Sequence, residues 1–359
     1  MGRYIIKRLL YGLLVLLGVV TLVFFLFNIL PGDPARMMLG QRADQESIDI
    51  INRDLGRDKP VGQQYLNYLN DLLPVSVHNN VDSTSYFYLS AEKYSPYTTL
   101  LRLGSTSVVL KAPYLRRSYQ SQRRVSEIIG AAFPQTALLA VVAMLFALIV
   151  GVTLGVVSAL HKDTWIDRLT LVLSTLGMSL PSFFAAILIA WLFAYVLADW
   201  THLNMFGNLY SVDDYGCGEY IDFKNLILPA LTLGIRPLAT LTQLTKNSML
   251  EALSQDYIRT ARAKGLSHRR VVLHHALRNA LNPVVTSASG WFAGLLAGAV
   301  FVEYVFDWKG MGVVIVDGLE KYDFPVVMGT ILFICILLVL INILTDILYA
   351  VLDPRVRLS

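Results

Sequence analysis

The chain has 359 residues, of which 55% are hydrophobic and only 16% are charged. In soluble chains about a quarter of all residues are normally charged, so this composition excludes an ordinary soluble domain. The formal net charge of +4 gives no indication of a nucleic-acid partner.

Long apolar runs predict an all-α polytopic membrane protein, because about 20 apolar residues in a helix cross the hydrocarbon layer. The first run is too long for the apolar region of a cleavable signal peptide, and the segment 31–34 (PGDP) ends it. We predict six spans, at roughly 9–30, 132–160, 168–198, 225–250, 280–302 and 325–350.

Glycine and proline positions suggest how these helices pack. Gly151 and Gly155 in the second span have the small-xxx-small spacing that lets helix backbones approach closely. Pro181 lies in the third span, and the fifth begins at Pro283. Each of these prolines marks either a kink that lines a path or an ordinary bend.

The distribution of Lys and Arg predicts the orientation in the membrane. Basic residues cluster at the N-terminus, after the second span, after the fourth span and at the C-terminus. Six spans place all four clusters on one side, which is therefore predicted to be cytoplasmic, with both termini. The short loop around 303–324 is mainly acidic and is predicted to lie outside.

The segment 31–131 is predicted to be extracytoplasmic, between the first helix (1–30) and a five-helix core (132–359). Residues 44–73 have an amphipathic helical pattern, and Ser105–Lys111 reads as a strand. We therefore predict a small insert, at about 75–115, that contains β-structure. Its aromatic residues either pack the insert or contact a partner protein: Tyr86, Phe87, Tyr88, Tyr94 and Tyr97.

The loop 251–278 is polar, basic and helical in pattern, although it lies between two spans. Leu250, Leu253, Tyr257 and Ala261 would form one apolar stripe, and Gly265 would end that helix. Ser267 is in position to cap a second helix. Periodicity leaves two interpretations open, a helix lying on anionic lipid or an element that docks on a cytoplasmic protein.

No catalytic constellation or phosphate-binding glycine loop is present in the sequence. His274 and His275 are adjacent and point to different faces of a helix, so no metal site is predicted.

The run DYIRTARAKGL at 256–266 resembles the cytoplasmic EAA loop of bacterial binding-protein-dependent ABC importers. The resemblance is to the dipeptide/oligopeptide/nickel permease family, first-permease type, and it extends over most of the chain. The stretch at about 75–115 departs from that family, which is typically shorter there. The other matching segments are RYIIKRLL at 3–10, PGDP at 31–34, LGRDKPVGQQYL at 55–66, ALRNALNPVVT at 276–286, the run from Glu303 to Gly312, and DPRVR at 353–357.

The resemblance implies a multi-pass subunit of the bacterial inner membrane that pairs with a second permease. Two cytoplasmic ATPases would hold ATP and Mg²⁺, this chain would need no cofactor, and a solute-binding protein would deliver substrate. The EAA-type loop would dock on an ATPase. Its candidate residues are Tyr257, Ala261 and Leu266 as buried docking contacts, Gly265 as the turn, and Arg259, Arg262 and Lys264 as polar rim contacts or contacts to lipid phosphates.

Polar and proline residues within the spans are candidates for the translocation path, although interhelical hydrogen bonding explains them equally well. They are Pro134, Gln135, Thr136, Pro181, Ser182, Asn282, Ser287 and Ser289. The expected substrate is a dipeptide or an oligopeptide, with nickel chelates open. The alternatives are a stand-alone secondary transporter or channel, and a membrane scaffold without transport.

Overall fold

The structure is a computed structural model, and it describes residues 2–29, 45–54, 58–82, 85, 87–212 and 218–352. The described chain is mostly helical. The predicted segments 31–34 and 353–357, together with Tyr86, lie outside the described residues.

The helices and strands up to the second long apolar helix are α1 (Gly2–Ile29), α2 (Gln45–Asp54), α3 (Val61–Leu72), β1 (Val75–Asn79), α4 (Ala91–Tyr94), β2 (Tyr97–Leu103), β3 (Thr106–Lys111) and α5 (Val125–Leu160). The following elements are α6 (Trp165–Ser179), α7 (Ser182–Trp191) with a π-helical turn at Leu192–Val196, α8 (Ala198–Thr201), β4 (Tyr210–Val212), β5 (Glu219–Ile221) and α9 (Lys224–Ser254). The last are α10 (Asp256–Ala263), α11 (His268–Arg270) with a π-helical turn at Val271–Ala276, α12 (Leu277–Gly298), α13 (Val300–Val305), α14 (Met311–Glu320) and α15 (Phe324–Leu352).

Within the described residues, four helices are long and apolar enough to cross a membrane, or five if one bent pair counts as a span. The four are α1, α5, α9 and α15. The bent pair is the predicted third span, in which α6 and α7 meet at 113°. The cause is Pro181, whose ring prevents continuation of the helix, so Leu180 and Pro181 are extended.

The predicted span at 280–302 corresponds to α12, which lies outside this set of apolar helices. The helix itself is present, but it carries Asn279, Asn282 and several hydroxyl residues. The structure therefore supports four to five apolar spans, and the sixth stays a prediction.

The described chain divides into two compact units. The first comprises Met1–Gly12, Ala132–Val313 and Ile334–Ser359, and the second comprises Leu13–Ala131 and Val314–Phe333.

In the second unit, the predicted strand at 105–111 is confirmed as β3, the middle of an antiparallel sheet in the order β1-β3-β2. The buried face of this sheet is mostly polar, with Val109 as its buried apolar residue. Ser76, His78 and Lys111 are buried, whereas the apolar face that includes Val77 and Leu110 is exposed.

The buried face of the sheet is stabilised by a polar network around Asp71 of α3. The Tyr94 hydroxyl donates to Asp71 Oδ1 at 2.8 Å, and Lys111 Nζ donates to the Asp71 carbonyl at 2.6 Å. Tyr94 is 5% exposed, so this aromatic residue packs the insert rather than facing a partner.

In the first unit, α5 packs against α9 through the two glycines predicted to allow close approach. A Cβ atom at Gly151 would lie 3.0 Å from the Leu238 carbonyl oxygen, and one at Gly155 would lie 2.7 Å from that of Thr242. The close-packing prediction is therefore confirmed. Arg8 Nε lies 2.8 Å from Asp346 Oδ2, so α1 begins beside the last turns of α15.

Candidate functional site

The EAA-type segment folds as a short helix, a glycine turn and a second helical stretch, as predicted. Helix α9 ends at Ser254 and Gln255 is extended, so α10 starts in a new direction. The predicted continuous stripe from Leu250 to Ala261 is therefore broken at Gln255.

One face of α10 belongs to the core of this chain. Ile258 and Ala261, three positions apart, are 0% and 6% exposed. They pack into a cluster that we call the α10 cluster, which consists of Ala159, Met249, Ala252, Ile258, Ala261, Val271, Val272, Ala276 and Ala280. Ala261, which was predicted to contact an ATPase, is therefore buried against other residues of this chain.

The rest of the surface around α10, including Lys264 just after the helix, is open and basic, and we call it the open face. Tyr257 is 40% exposed, and Arg259, Arg262 and Lys264 are exposed. Arg259 makes an exposed ion pair with Asp256 at 3.4 Å, which contributes little to stability in water. This face combines one aromatic ring with three cationic side chains, a composition suited to a partner surface that carries acidic groups.

Gly265 forms the turn after α10, in a conformation that glycine adopts at no steric cost. Its φ is +76°, and a Cβ atom there would meet no heavy atom within 4 Å. Its N–H donates to the Arg262 carbonyl at 3.0 Å, and the Leu266 N–H donates to the Ala261 carbonyl at 3.3 Å. Leu266 is half-buried beside the α10 cluster.

A buried ion pair lies on α9, two turns before that helix ends, and the sequence analysis missed it. Lys246 Nζ lies 2.5 Å from Asp167 Oδ1, at the start of α6. Ser158 Oγ, near the end of α5, donates to the same oxygen at 2.5 Å. The signal in the sequence was a lone lysine inside the predicted span 225–250.

A second missed group is Glu303 on α13, which is 0% exposed. Its Oε1 accepts a hydrogen bond from Thr136 Oγ1 at 2.7 Å, and its Oε2 accepts one from the Gly312 N–H at 2.6 Å. Thr136 in turn accepts the Met311 N–H at 2.8 Å. Glu303 thus satisfies the N-terminus of α14, a favourable place for a carboxylate.

The candidate path residues lie on different helices. Pro134, Pro181 and Asn282 are exposed in the isolated chain, and the others are half-buried except Thr136, which is 2% exposed. Thr136 donates its hydroxyl hydrogen to Glu303. The half-buried residues are Gln135, Ser182, Ser287 and Ser289.

The apolar helices indicate a multi-pass membrane protein, and the family that it matches makes it a permease subunit of the ABC importer type. The chain belongs to the family described as "Binding-protein-dependent transport system inner membrane component", which matches residues 151–358. The family's N-terminal part, "Binding-prot-dependent transport system membrane comp, N-term", matches residues 1–90. These matches confirm the resemblance found in the sequence.

Curated relatives match the chain almost end to end. The "Glutathione transport system permease protein GsiC" of Pectobacterium atrosepticum is 36% identical over 357 residues, 99% of each chain. The proteins of the same name from Escherichia coli O6:H1 and Salmonella typhimurium are 35% and 34% identical, also over 99% of each chain. All three therefore align with nearly every segment of this chain.

Among solved structures, an inward-facing MetNI methionine ABC transporter aligns with a TM-score of 0.50 at 17% identity. The alignment covers 64% of this chain and 97% of that chain. At this identity the likeness concerns the fold alone.

Proposed function

We propose that this permease subunit takes part in the ATP-driven import of small peptide-like solutes, with glutathione as the first candidate. The observation that supports the substrate is the full-length similarity to three proteins named as glutathione transport permeases. Glutathione is a tripeptide, so the proposal falls within the di- and oligopeptide class expected from the sequence.

The proposed subunit works in the bacterial inner membrane, with six spans and both termini in the cytoplasm. It forms the path with a second permease and receives solute from an extracytoplasmic binding protein. ATP and Mg²⁺ are held by two cytoplasmic ATPases, and lipid surrounds the spans. The ion pair between Arg8 and Asp346 supports termini on one side, because it joins the first helix to the end of the last.

The proposed ATPase contact is the open face of α10 together with the glycine turn. Tyr257 would enter a cleft on the ATPase, and Arg259, Arg262 and Lys264 would contact acidic groups at its rim. Ile258 and Ala261 hold the helix to the permease, so force on the open face acts on the α10 cluster. ATP can change the pore only if these contacts differ between two states of the permease.

Co-purification tests the assembly. The tagged chain is isolated from its own cells in a mild detergent, and the eluate is assayed for ATPase activity with added binding protein and either glutathione or a dipeptide. We expect a second permease and ATPases to co-elute, with hydrolysis stimulated by glutathione. Stimulation by the dipeptide but not by glutathione would contradict the substrate proposal. A chain that elutes alone without ATPase activity would favour a secondary transporter.

A glycine variant tests the docking segment. Gly265→Asp adds charge and bulk at the turn, and we expect solute uptake to be lost while membrane insertion is kept. Gly104→Asp is a matched control, since Gly104 also has a positive φ of +58° and open space around a built Cβ, but lies between β2 and β3. Normal uptake by Gly265→Asp would contradict docking through this turn.

A further inference from the structure

Three helices of the first unit meet at one polar group close to the start of the EAA-type stretch 251–278, which we call the coupling segment. Asp167 at the start of α6 accepts from Lys246 on α9 and from Ser158 on α5, both at 2.5 Å on Oδ1. Its Oδ2 accepts the N–H of Asp163, in the turn between α5 and α6, at 3.1 Å. The carboxylate therefore connects α9 to the α5–α6 turn.

These groups are shielded from water. Ser158 is 0% exposed, Asp167 is 6% exposed, and the Lys246 side chain is 19% exposed. A buried ion pair adds little net stability, but removing one partner is costly because the other charge loses its compensation. Its main effect is to hold the two elements in one relative position.

Close backbone packing lies beside the ion pair. A Cβ atom at Gly155 would be 2.6 Å from the Thr245 Cβ, one residue before Lys246. Helices α5 and α9 are therefore in direct contact, and a shift of one along the other is opposed by overlap.

The same face of α9 leads from Lys246 to the coupling segment. Met249 and Ala252 follow at intervals of three residues, and both are buried in the α10 cluster with Ile258 and Ala261. Ala159 of α5 belongs to the same cluster. The ion pair and the support of α10 are thus consecutive parts of one packed surface.

We propose that Asp167 and Lys246 are positioning residues for energy coupling, which hold the α5–α6 turn and the coupling segment as one rigid body. A displacement of α10 by an ATPase then moves α5 and α6 with it. Without the ion pair, the coupling segment moves while these helices lag, and ATP is hydrolysed with less transport. This inference rests on the proposed function.

Distance measurements in the assembled complex test the rigid body. Spin labels are placed at the exposed positions Lys162 and Arg270, after replacement of the native Cys217 and Cys335 by serine. We expect one distance distribution that is the same without nucleotide and with ATP plus vanadate. In Asp167→Asn we expect the distribution to broaden and to shift with ATP. A wild-type distance that changes with ATP, or a variant that matches wild type, would overturn the proposal.

The functional readout is glutathione taken up per ATP hydrolysed in proteoliposomes. We expect Asp167→Asn and Lys246→Met to lower this yield about fivefold or more. A factor of about five is the lower end of the range that is typical for coupling between two sites. The charge-reversed double variant Asp167→Lys with Lys246→Asp should restore part of the yield. Asp317→Asn is the control, because it removes a carboxylate from an exposed pair with Lys321 at 3.3 Å.

The outcomes separate this inference from the proposed function. If the wild-type chain assembles with no ATPase, the proposed function fails first. If the wild-type complex is coupled and the single variants keep its yield, the positioning role is wrong. If the single variants fail to assemble, restored assembly and yield in the reversed pair support the role, and no restoration overturns it.

Discussion

Replacing Glu303 tests the buried hydrogen-bond network that joins α5, α13 and α14. The carboxylate is 0% exposed and accepts from Thr136 Oγ1 and the Gly312 N–H. The Thr136 hydroxyl donates its hydrogen to the Glu303 carboxylate, and its oxygen accepts the Met311 N–H. Glu303→Ala leaves this hydroxyl and the Gly312 amide buried without an acceptor.

The expected cost follows from the groups left unpaired. A buried donor without a partner costs about 1–3 kcal/mol, and the lost side-chain volume adds a cavity, so we expect about 3–5 kcal/mol for Glu303→Ala. Glu303→Gln preserves the shape but has one acceptor oxygen. With its nitrogen towards Gly312 the amide places donor against donor, and with its nitrogen towards Thr136 it removes the acceptor of the Thr136 hydroxyl, so we expect about 1–2 kcal/mol.

The stabilities of the two Glu303 variants are compared by thermal unfolding of the purified chain in detergent. Unfolding is monitored by tryptophan fluorescence. Trp308 is 0% exposed, and its Nε1–H donates to the Gln135 carbonyl at 3.1 Å, so it reports on this region. We expect Tm to fall on the order of 10 °C for the alanine variant and by a few degrees for the glutamine variant. Exposed Glu251→Ala is the control. An alanine variant at least as stable as the glutamine variant would refute the argument.

Three further changes follow from close contacts and burial. Gly155→Val places methyl groups against Thr242 and Thr245 and should destabilise the chain by about 1–3 kcal/mol or more, as read from its unfolding temperature. Gly130→Val in the same helix meets no atom within 4 Å and should change the unfolding temperature much less; equal effects would contradict the packing. Gly312→Ala directs a methyl group at Val300 and to 2.8 Å from Glu303 Oε2, so its unfolding temperature should fall below that of Gly294→Ala, whose Cβ has open space. Burial lowers the pKa of His78, aided by Lys111, against an opposing hydrogen bond to the Phe87 carbonyl. The unfolded chain therefore takes up a proton first, and stability should fall as pH drops below about 6.5. A chain carrying His78→Gln should lose that part of the pH dependence, and an unchanged profile would contradict it.

Features that depend on neighbouring residues in the sequence were predicted correctly. The turn of the coupling segment follows from Gly265, whose φ is positive, although the helix break at Gln255 was not predicted. The strand β3 follows from its β-branched residues Thr106, Val108 and Val109. Each signal lies within a few residues of the structure it specifies.

Features that depend on distant pairs could not be predicted in the same way. Glu303 and Thr136 are 167 positions apart, and the sequence placed Glu303 in an acidic loop and Thr136 on the path. Ala261 was assigned to a partner surface because periodicity identifies an apolar face but not what covers it. The buried face of the β1-β3-β2 sheet is mostly polar, and the alternation of residues does not reveal which face is covered.

The third predicted span shows how one residue changes a topological count. Its hydropathy continues across Pro181, so the apolar residues predict one span there, and the proline marks either a kink or an ordinary bend. The backbone geometry at Pro181 overrides the continuous hydropathy. Proline lacks the N–H for the helical hydrogen bond and restricts Leu180 to an extended conformation. The result is two helices at 113°, of which α6 alone carries Asp167. Because of the bend, Asp167 on α6 meets α5 and α9 at the ion pair, whereas α7 packs through Ala186 and Ala190 into the apolar core of the first unit.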